Sequence, residues 1–271
     1  MRNSNRYYVR PIFSKIKTKD SLFLGSSKLF FNEIELITRG KAKSRSKFLK
    51  INEIKYLEPD IQRDINKRIS NITKKRKKLG KFNFERSLVM GILNVTPDSF
   101  FDGGKYLLHD NAIEQFKKLI KEGADIIDIG GESTRPGSKE ITVNEEISRI
   151  IPIISQIRKK YKKEFISVDT RKSIVMKEAC KFDINLINDV SGLRFDKNSK
   201  NFLNSNKIPF VLMHSISTPE KMQKNIKYKD VLLDIYDFFE KQISLCEKNG
   251  ISKSRIIIAV SYTHLTLPTK A

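Results

Sequence analysis

Asn94, Asp128, Asp169, the pair Asn188-Asp189 and the pair Met213-His214 share one position in the text: each closes a short apolar run. If the runs are parallel strands, their ends meet on one rim, where the chemistry of several elements can converge. An Asn carbonyl beside a carboxylate suits a hard cation such as Mg²⁺, whose binding usually also needs substrate phosphates. The segment STRPG supplies a hydroxyl at Thr134, a guanidinium at Arg135 and a glycine-loosened turn, all suited to phosphate oxygens. Asp169 with Asn188 can match the donors and acceptors of a flat heterocycle, and Met213 can pack on its face. Ser-His-Asp, activated-Cys and HExxH patterns are all missing. No residue is therefore assigned as a covalent nucleophile, and catalysis would rest on positioning and on stabilising a leaving phosphate.

The elements that must carry these groups alternate regularly. SLVMGILNV, ADIIDIG, FISVD, INLIND, PFVLMH and RIIIA read as buried strands rich in β-branched residues. Between them lie helical patterns. One carries Ile113, Phe116 and Ile120 on a single face, with Asp110 placed to cap its start and Gly123 to stop it. Another opens on a capping box, Thr142 to Glu145, and shows a stripe of Ile147, Ile150, Ile151 and Ile154. The expected fold class is α/β, a (β/α)8 TIM-barrel type that is incomplete here, with about six of eight strands. A doubly wound sheet is the alternative, weakened because no GxGxxG follows the first strand.

The organisation expected is a basic extension over 1–86 with some folded structure, a partial barrel over 87–259 and a non-native tail over 260–271. Residues 1–86 hold 24 Lys and Arg against 8 Asp and Glu, so +16 of the chain's +22 sits there. The charge peaks at Thr73–Lys78, TKKRKK, which reads as a linker or solvated face. No aromatic residue interrupts that run, so nucleic acid is not the expected partner. No apolar run approaches the ~18 residues of a membrane span, and no membrane partner is expected. Cys180 and Cys246 lack ligand spacing, and with no secretory segment the reading is cytoplasmic.

Met90–Phe100 (MGILNVTPDSF), Gly123–Ser138 (GADIIDIGGESTRPGS), Ile166–Lys172, Ile187–Leu193 and Pro209–Ser215 together resemble the dihydropteroate synthases. The resemblance implies condensation of 6-hydroxymethyl-7,8-dihydropterin diphosphate with 4-aminobenzoate in folate biosynthesis, with release of pyrophosphate. It implies that Asn94 binds Mg²⁺ and diphosphate, that Thr134 and Arg135 contact the diphosphate, and that Asp169 and Asn188 hold the pterin over Met213. It also implies that Thr96–Gly104 closes over the aminobenzoate, and that the intact protein is a homodimer. Phe101 departs from the usual serine of that loop. Ala259 departs further, standing where the resemblance implies a pterin-binding Asp. From there the composition changes, and SYTHLTLPTKA reads as foreign sequence in which Tyr262 and His264 carry no function. The expectation is a truncated chain with little activity of its own. Two other functions compete: a pterin-dependent methyltransferase of the same fold, and a nucleic-acid-binding role of the basic region.

Overall fold

The computed structural model describes residues 6–40, 43–96, 105–133, 138–215 and 228–260. The chain divides into two compact units, Met1–Ser87 with Lys229–Asp234, and Leu88–Tyr228 with Ile235–Ala271.

The first unit is built on an antiparallel sheet of β1 (Tyr7–Phe13), β2 (Leu22–Phe23), β3 (Phe30–Thr38) and β4 (Arg45–Lys50). β3 is central, paired with β1 on one side and with β2 and β4 on the other. Its alternation was legible, because Ile34 and Leu36 face a core that also holds Phe31. Helix α1 (Pro59–Thr73) closes that core with Ile65 and Ile69. Proline at its start costs nothing, since the first helical N–H groups have no partner to lose.

The second unit carries the predicted alternation. Its strands are β5 (Met90–Asn94), β6 (Ile126–Gly130), β7 (Ile166–Asp169), β8 (Leu186–Asp189), β9 (Phe210–His214) and β10 (Ile256–Val260). They form one parallel sheet in the order β10-β9-β8-β7-β6-β5. That order steps one way without reversing. A doubly wound sheet needs a reversal, so the barrel-type progression is the one observed. Among the described residues the sheet is open, with β5 and β10 at its edges.

The intervening helices are α2 (Lys105–Lys121), α3 (Val143–Lys160), α4 (Ser173–Ala179), α5 (Ser199–Ser205) and α6 (Val231–Lys248). The core lies between them and the sheet, with Leu93, Ile127, Ile129, Val168, Ile187 and Leu212 facing Phe116, Ile150, Ile154 and Ile157. Two local readings need correction. Helix α2 starts at Lys105, so Asp110 lies inside it and caps nothing; the helix-favouring pair Leu107-Leu108 extends the helix upstream. At α3 only half of the capping box forms. Thr142 Oγ1 accepts from the Glu145 N–H at 3.2 Å, but the Glu145 carboxylate pairs with Arg149 at 2.5 Å. Gly123 ends α2 with φ +96, as its place in the sequence suggests.

Candidate active site

Side chains alternate across a strand, so adjacent residues of one polar pair cannot both face the same side. Cross-strand register puts Asn94 beside Gly130, Gly130 beside Asp169, Asp169 beside Asn188, and Asn188 beside Val211. These residues form one row on the face turned away from the helices. Met213 lies two residues beyond Val211 on that face, next to Ala259. The structure therefore brings Asn94, Asp169, Asn188 and Met213 to one surface. Asp189 and His214 fall on the other side. His214 packs edge-on against Phe238, with ring centroids 4.6 Å apart. Thr134, Arg135 and nearly all of Thr96–Gly104, including Phe101, lie outside the described residues, as do Tyr262 and His264.

Gly130 keeps the middle of the row open. A Cβ there would lie 3.5 Å from Asp169 Oδ2 and 3.7 Å from Asn94 Oδ1. The absence of a side chain leaves those two oxygens facing a common space. One step down the same face, Asp128 accepts a 2.8 Å hydrogen bond from Asn188 Nδ2. Its Oδ1 is buried and has no partner among the described residues. Sequence alone marks Asp128 as a strand end without a ligand role, whereas it lies in the middle of β6. An orphaned buried acceptor beneath the row makes it part of the site.

The carboxyls push one another up. Burial raises Asp169 well above the usual carboxylate range, and the neighbouring Asp128, Glu146 and Asp189 add to the shift. Burial likewise raises Asp128, against the pull of Ser167 and Asn188. Such a pair sharing a site resists full ionisation until a ligand brings N–H donors or positive charge.

Behind the row lies a buried charge cluster that sequence reasoning missed. Arg171 grips Glu132 with two bonds, Nε to Oε2 at 2.9 Å and Nη2 to Oε1 at 3.1 Å. Lys172 Nζ reaches Glu146 Oε2 at 2.6 Å and Glu132 Oε1 at 3.2 Å. The Arg171 guanidinium also lies 3.8 Å from the Phe195 ring centroid. Burial opposes ionisation of Glu132, yet Arg171 and the Ile141 N–H hold it below the usual range. For Glu146, burial wins and the carboxyl is raised despite Lys172. The cluster ties the exit of β6, through Glu132, to the exit of β7, through Arg171 and Lys172. It thereby fixes the spacing of Gly130 and Asp169.

Asp189 provides a pH handle. It has no exposed surface. Its Oδ1 accepts from the Ser191 N–H at 2.7 Å and the Ser191 hydroxyl at 2.6 Å, while Oδ2 has no partner among the described residues. Burial pushes the carboxyl up to about 6, from 3.8, against the Ser191 bonds. Between those values the folded chain holds a proton that the unfolded chain has released, so stability falls as pH rises through the window. Asp189→Asn keeps an acceptor for Ser191 and is expected to flatten that slope. Above the window it gains about 2–3 kcal/mol in urea titrations.

A family described as "Pterin binding enzyme" matches residues 90–264. The chain is 41% identical over 170 residues to the dihydropteroate synthase of Escherichia coli strain K12, which covers 63% of this chain and 60% of that protein. It thus spans about 60% of that relative's length. A dihydropteroate synthase crystallised with pteroic acid, from a clostridial species, superposes with a TM-score of 0.58 at 41% identity, over 64% of this chain and 63% of that one. The Xanthomonas albilineans dihydropteroate synthase with 4-aminobenzoic acid superposes with a TM-score of 0.57 at 39% identity, over 64% and 60%. With the row of strand-end polar groups, the one-way parallel sheet and a family match over most of the second unit, this chain belongs to the pterin-binding enzymes.

Proposed function

We propose that the strand-end row binds 6-hydroxymethyl-7,8-dihydropterin diphosphate and that the whole protein is a dihydropteroate synthase. The observation that carries the reading is the contiguous set Asn94, Gly130, Asp169 and Asn188 with Asp128 beneath it. Two carboxyls and an amide present acceptors and a donor on one face of the sheet, which suits the amino-pyrimidinone edge of a pterin, and Met213 supplies an apolar floor. The names of the relatives, and the pteroic acid and 4-aminobenzoic acid in the solved structures, support the same substrates.

In the reaction, the bond between the pterin methylene and the diphosphate oxygen breaks, the amine of 4-aminobenzoate forms a C–N bond, and the amine loses a proton. Positive charge develops on the pterin as the diphosphate leaves. Asp169 and Asp128, facing the ring, stabilise that charge more strongly than they stabilise the neutral ground state. Asn94 Oδ1, at the open end of the row, is a hard oxygen donor suited to Mg²⁺. A single protein ligand fits a cation that takes most of its other ligands from phosphates and water. Bound there, Mg²⁺ would neutralise charge on the leaving diphosphate. Thr134 and Arg135 belong to this reading as the diphosphate grip, and the working protein as a cytoplasmic homodimer.

Titration calorimetry with pterin diphosphate and with methyltetrahydrofolate separates the two pterin chemistries. Saturable binding of the diphosphate, favoured over methyltetrahydrofolate, is the expected result. The opposite preference would assign the site to methyl transfer.

A further inference from the structure

The first unit contains a feature that the pterin site does not use. Four apolar side chains at one end of its sheet are open to solvent: Phe13 at 50%, Ile16 at 75%, Phe23 at 41% and Leu29 at 54%. Their backbone is well tied. Asn32 Nδ2 donates to the Ile16 carbonyl at 2.8 Å and to Ser14 Oγ at 3.2 Å. The Ser14 N–H bonds the Phe30 carbonyl at 3.1 Å, and the Leu24 N–H bonds the Leu29 carbonyl at 2.9 Å. The exposure of Ile16 and Leu29 is therefore held in place by the fold.

Lysines surround these tips. Lys15, Lys17, Lys19 and Lys28 are exposed, and Lys17 Nζ lies 4.7 Å from the Phe23 ring centroid. The TKKRKK run, distant in sequence, joins them. The Gly25 N–H bonds the Ile72 carbonyl at 3.0 Å, and the Arg76 N–H bonds Ser26 Oγ at 3.1 Å. Lys74, Lys75, Arg76, Lys77 and Lys78 are all exposed beside the Leu24–Leu29 turn. The single acid in these segments, Asp20, accepts from Asn52 Nδ2 at 3.4 Å.

We propose that this end of the first unit is a peripheral docking surface for anionic lipid bilayers. Ile16 and Leu29 enter the boundary between headgroups and acyl chains, and the surrounding lysines meet lipid phosphates and carboxylates. Charge complementarity selects this occupant. A second copy of the chain would set lysine against lysine. A nucleic acid would be held through cations and stacked rings, leaving the two most exposed apolar groups of the patch, both aliphatic, without a role. The sequence expectation of no membrane partner rested on the lack of a spanning segment, and no described helix is long and apolar enough to span. Docking at the surface needs no span, only apolar tips and cations brought to one place by folding.

The test is co-sedimentation of the full chain with vesicles of phosphatidylcholine alone and of phosphatidylcholine mixed with phosphatidylserine. Binding is expected only to the mixed vesicles and is expected to weaken with salt. Replacing Ile16 and Leu29 together by Ser leaves the charge unchanged and should lower partitioning about tenfold or more. Lys75→Glu with Lys77→Glu should lower it to a similar degree, about tenfold. Unchanged far-ultraviolet circular dichroism of both variants shows that the fold is retained; if the serine variant unfolds, the glutamate pair carries the test. No binding to mixed vesicles at low salt overturns the proposal. So does binding indifferent to Ile16 and Leu29, or tighter binding of a single-stranded oligonucleotide that shows the same indifference.

Discussion

Lys172→Met is expected to cost about 3–5 kcal/mol of unfolding free energy, because it breaks a buried ion pair and leaves its carboxylate behind. Lys172 and Glu146 are both almost fully buried, with relative exposures of 4% and 0%. Removing the ammonium leaves Glu132 still gripped by Arg171, but it strips Glu146 of its 2.6 Å partner. An uncompensated carboxylate in that position must either stay charged at high cost or take up a proton. Glu146 is already raised by burial with Lys172 present, so the variant raises it further. A folded-state value above the unfolded one means stability is greatest at low pH and is lost as pH rises. The variant should therefore lose more stability in neutral than in mildly acidic urea titrations. Adding Glu146→Leu removes the orphaned charge and should recover most of the loss. If the double variant is as unstable as the single one, Lys172 acts through packing and the charge argument fails.

Asp169→Asn should act in the opposite direction on stability while removing ligand affinity. Burial and the nearby carboxyls already hold Asp169 above the usual range, so a neutral amide relieves repulsion and leaves the fold as stable or more so. The same change loses a charge-assisted hydrogen bond to the pterin, worth about tenfold to a hundredfold in Kd. A site that gains stability when its binding group is neutralised is one where folding energy has been given up for function. In the unsubstituted protein, affinity should begin to weaken as pH falls at values well above the ordinary Asp range, because the proton returns early. In the variant that pH dependence should disappear. A variant that keeps its affinity would show that Asp169 serves structure alone.

What the sequence revealed of the second unit follows from its physics. A strand buried on one side by helices must be nearly all apolar there, so MGILN, IIDIG and FVLMH stand out against the polar helices between them. Polar residues in such runs are conspicuous, and Asn94, Asp169 and Asn188 were found for that reason. Which of two adjacent polar residues faced the site was a matter of strand parity, and only register settled it against Asp189 and His214. Asp128 looked like a strand end because its hydrogen bond to Asn188 crosses 60 residues.

The charge cluster was invisible for a related reason. Glu146 sits in the first turn of α3, where acids are ordinary, and its partner is 26 residues away. The short α5 was missed because Ser199–Ser205 offers only Phe202 and Leu203 to any period. In the first unit β3 was legible, whereas β4 was not. Five of the six residues in β4 are exposed, and RSKFLK buries Leu49 alone. The lysine-ringed tip required folding to exist at all, since Ile16, Leu29 and Arg76 share no sequence neighbourhood.

The most direct measurement is a crystal structure of the full chain with 6-hydroxymethyl-7,8-dihydropterin diphosphate and Mg²⁺ at saturating concentration. The predicted result is a pterin ring stacked on Met213, its edge within hydrogen-bond distance of Asp169 and Asn188, with the diphosphate directed toward Asn94. A ring bound elsewhere, or a row left empty at saturation, would contradict the account.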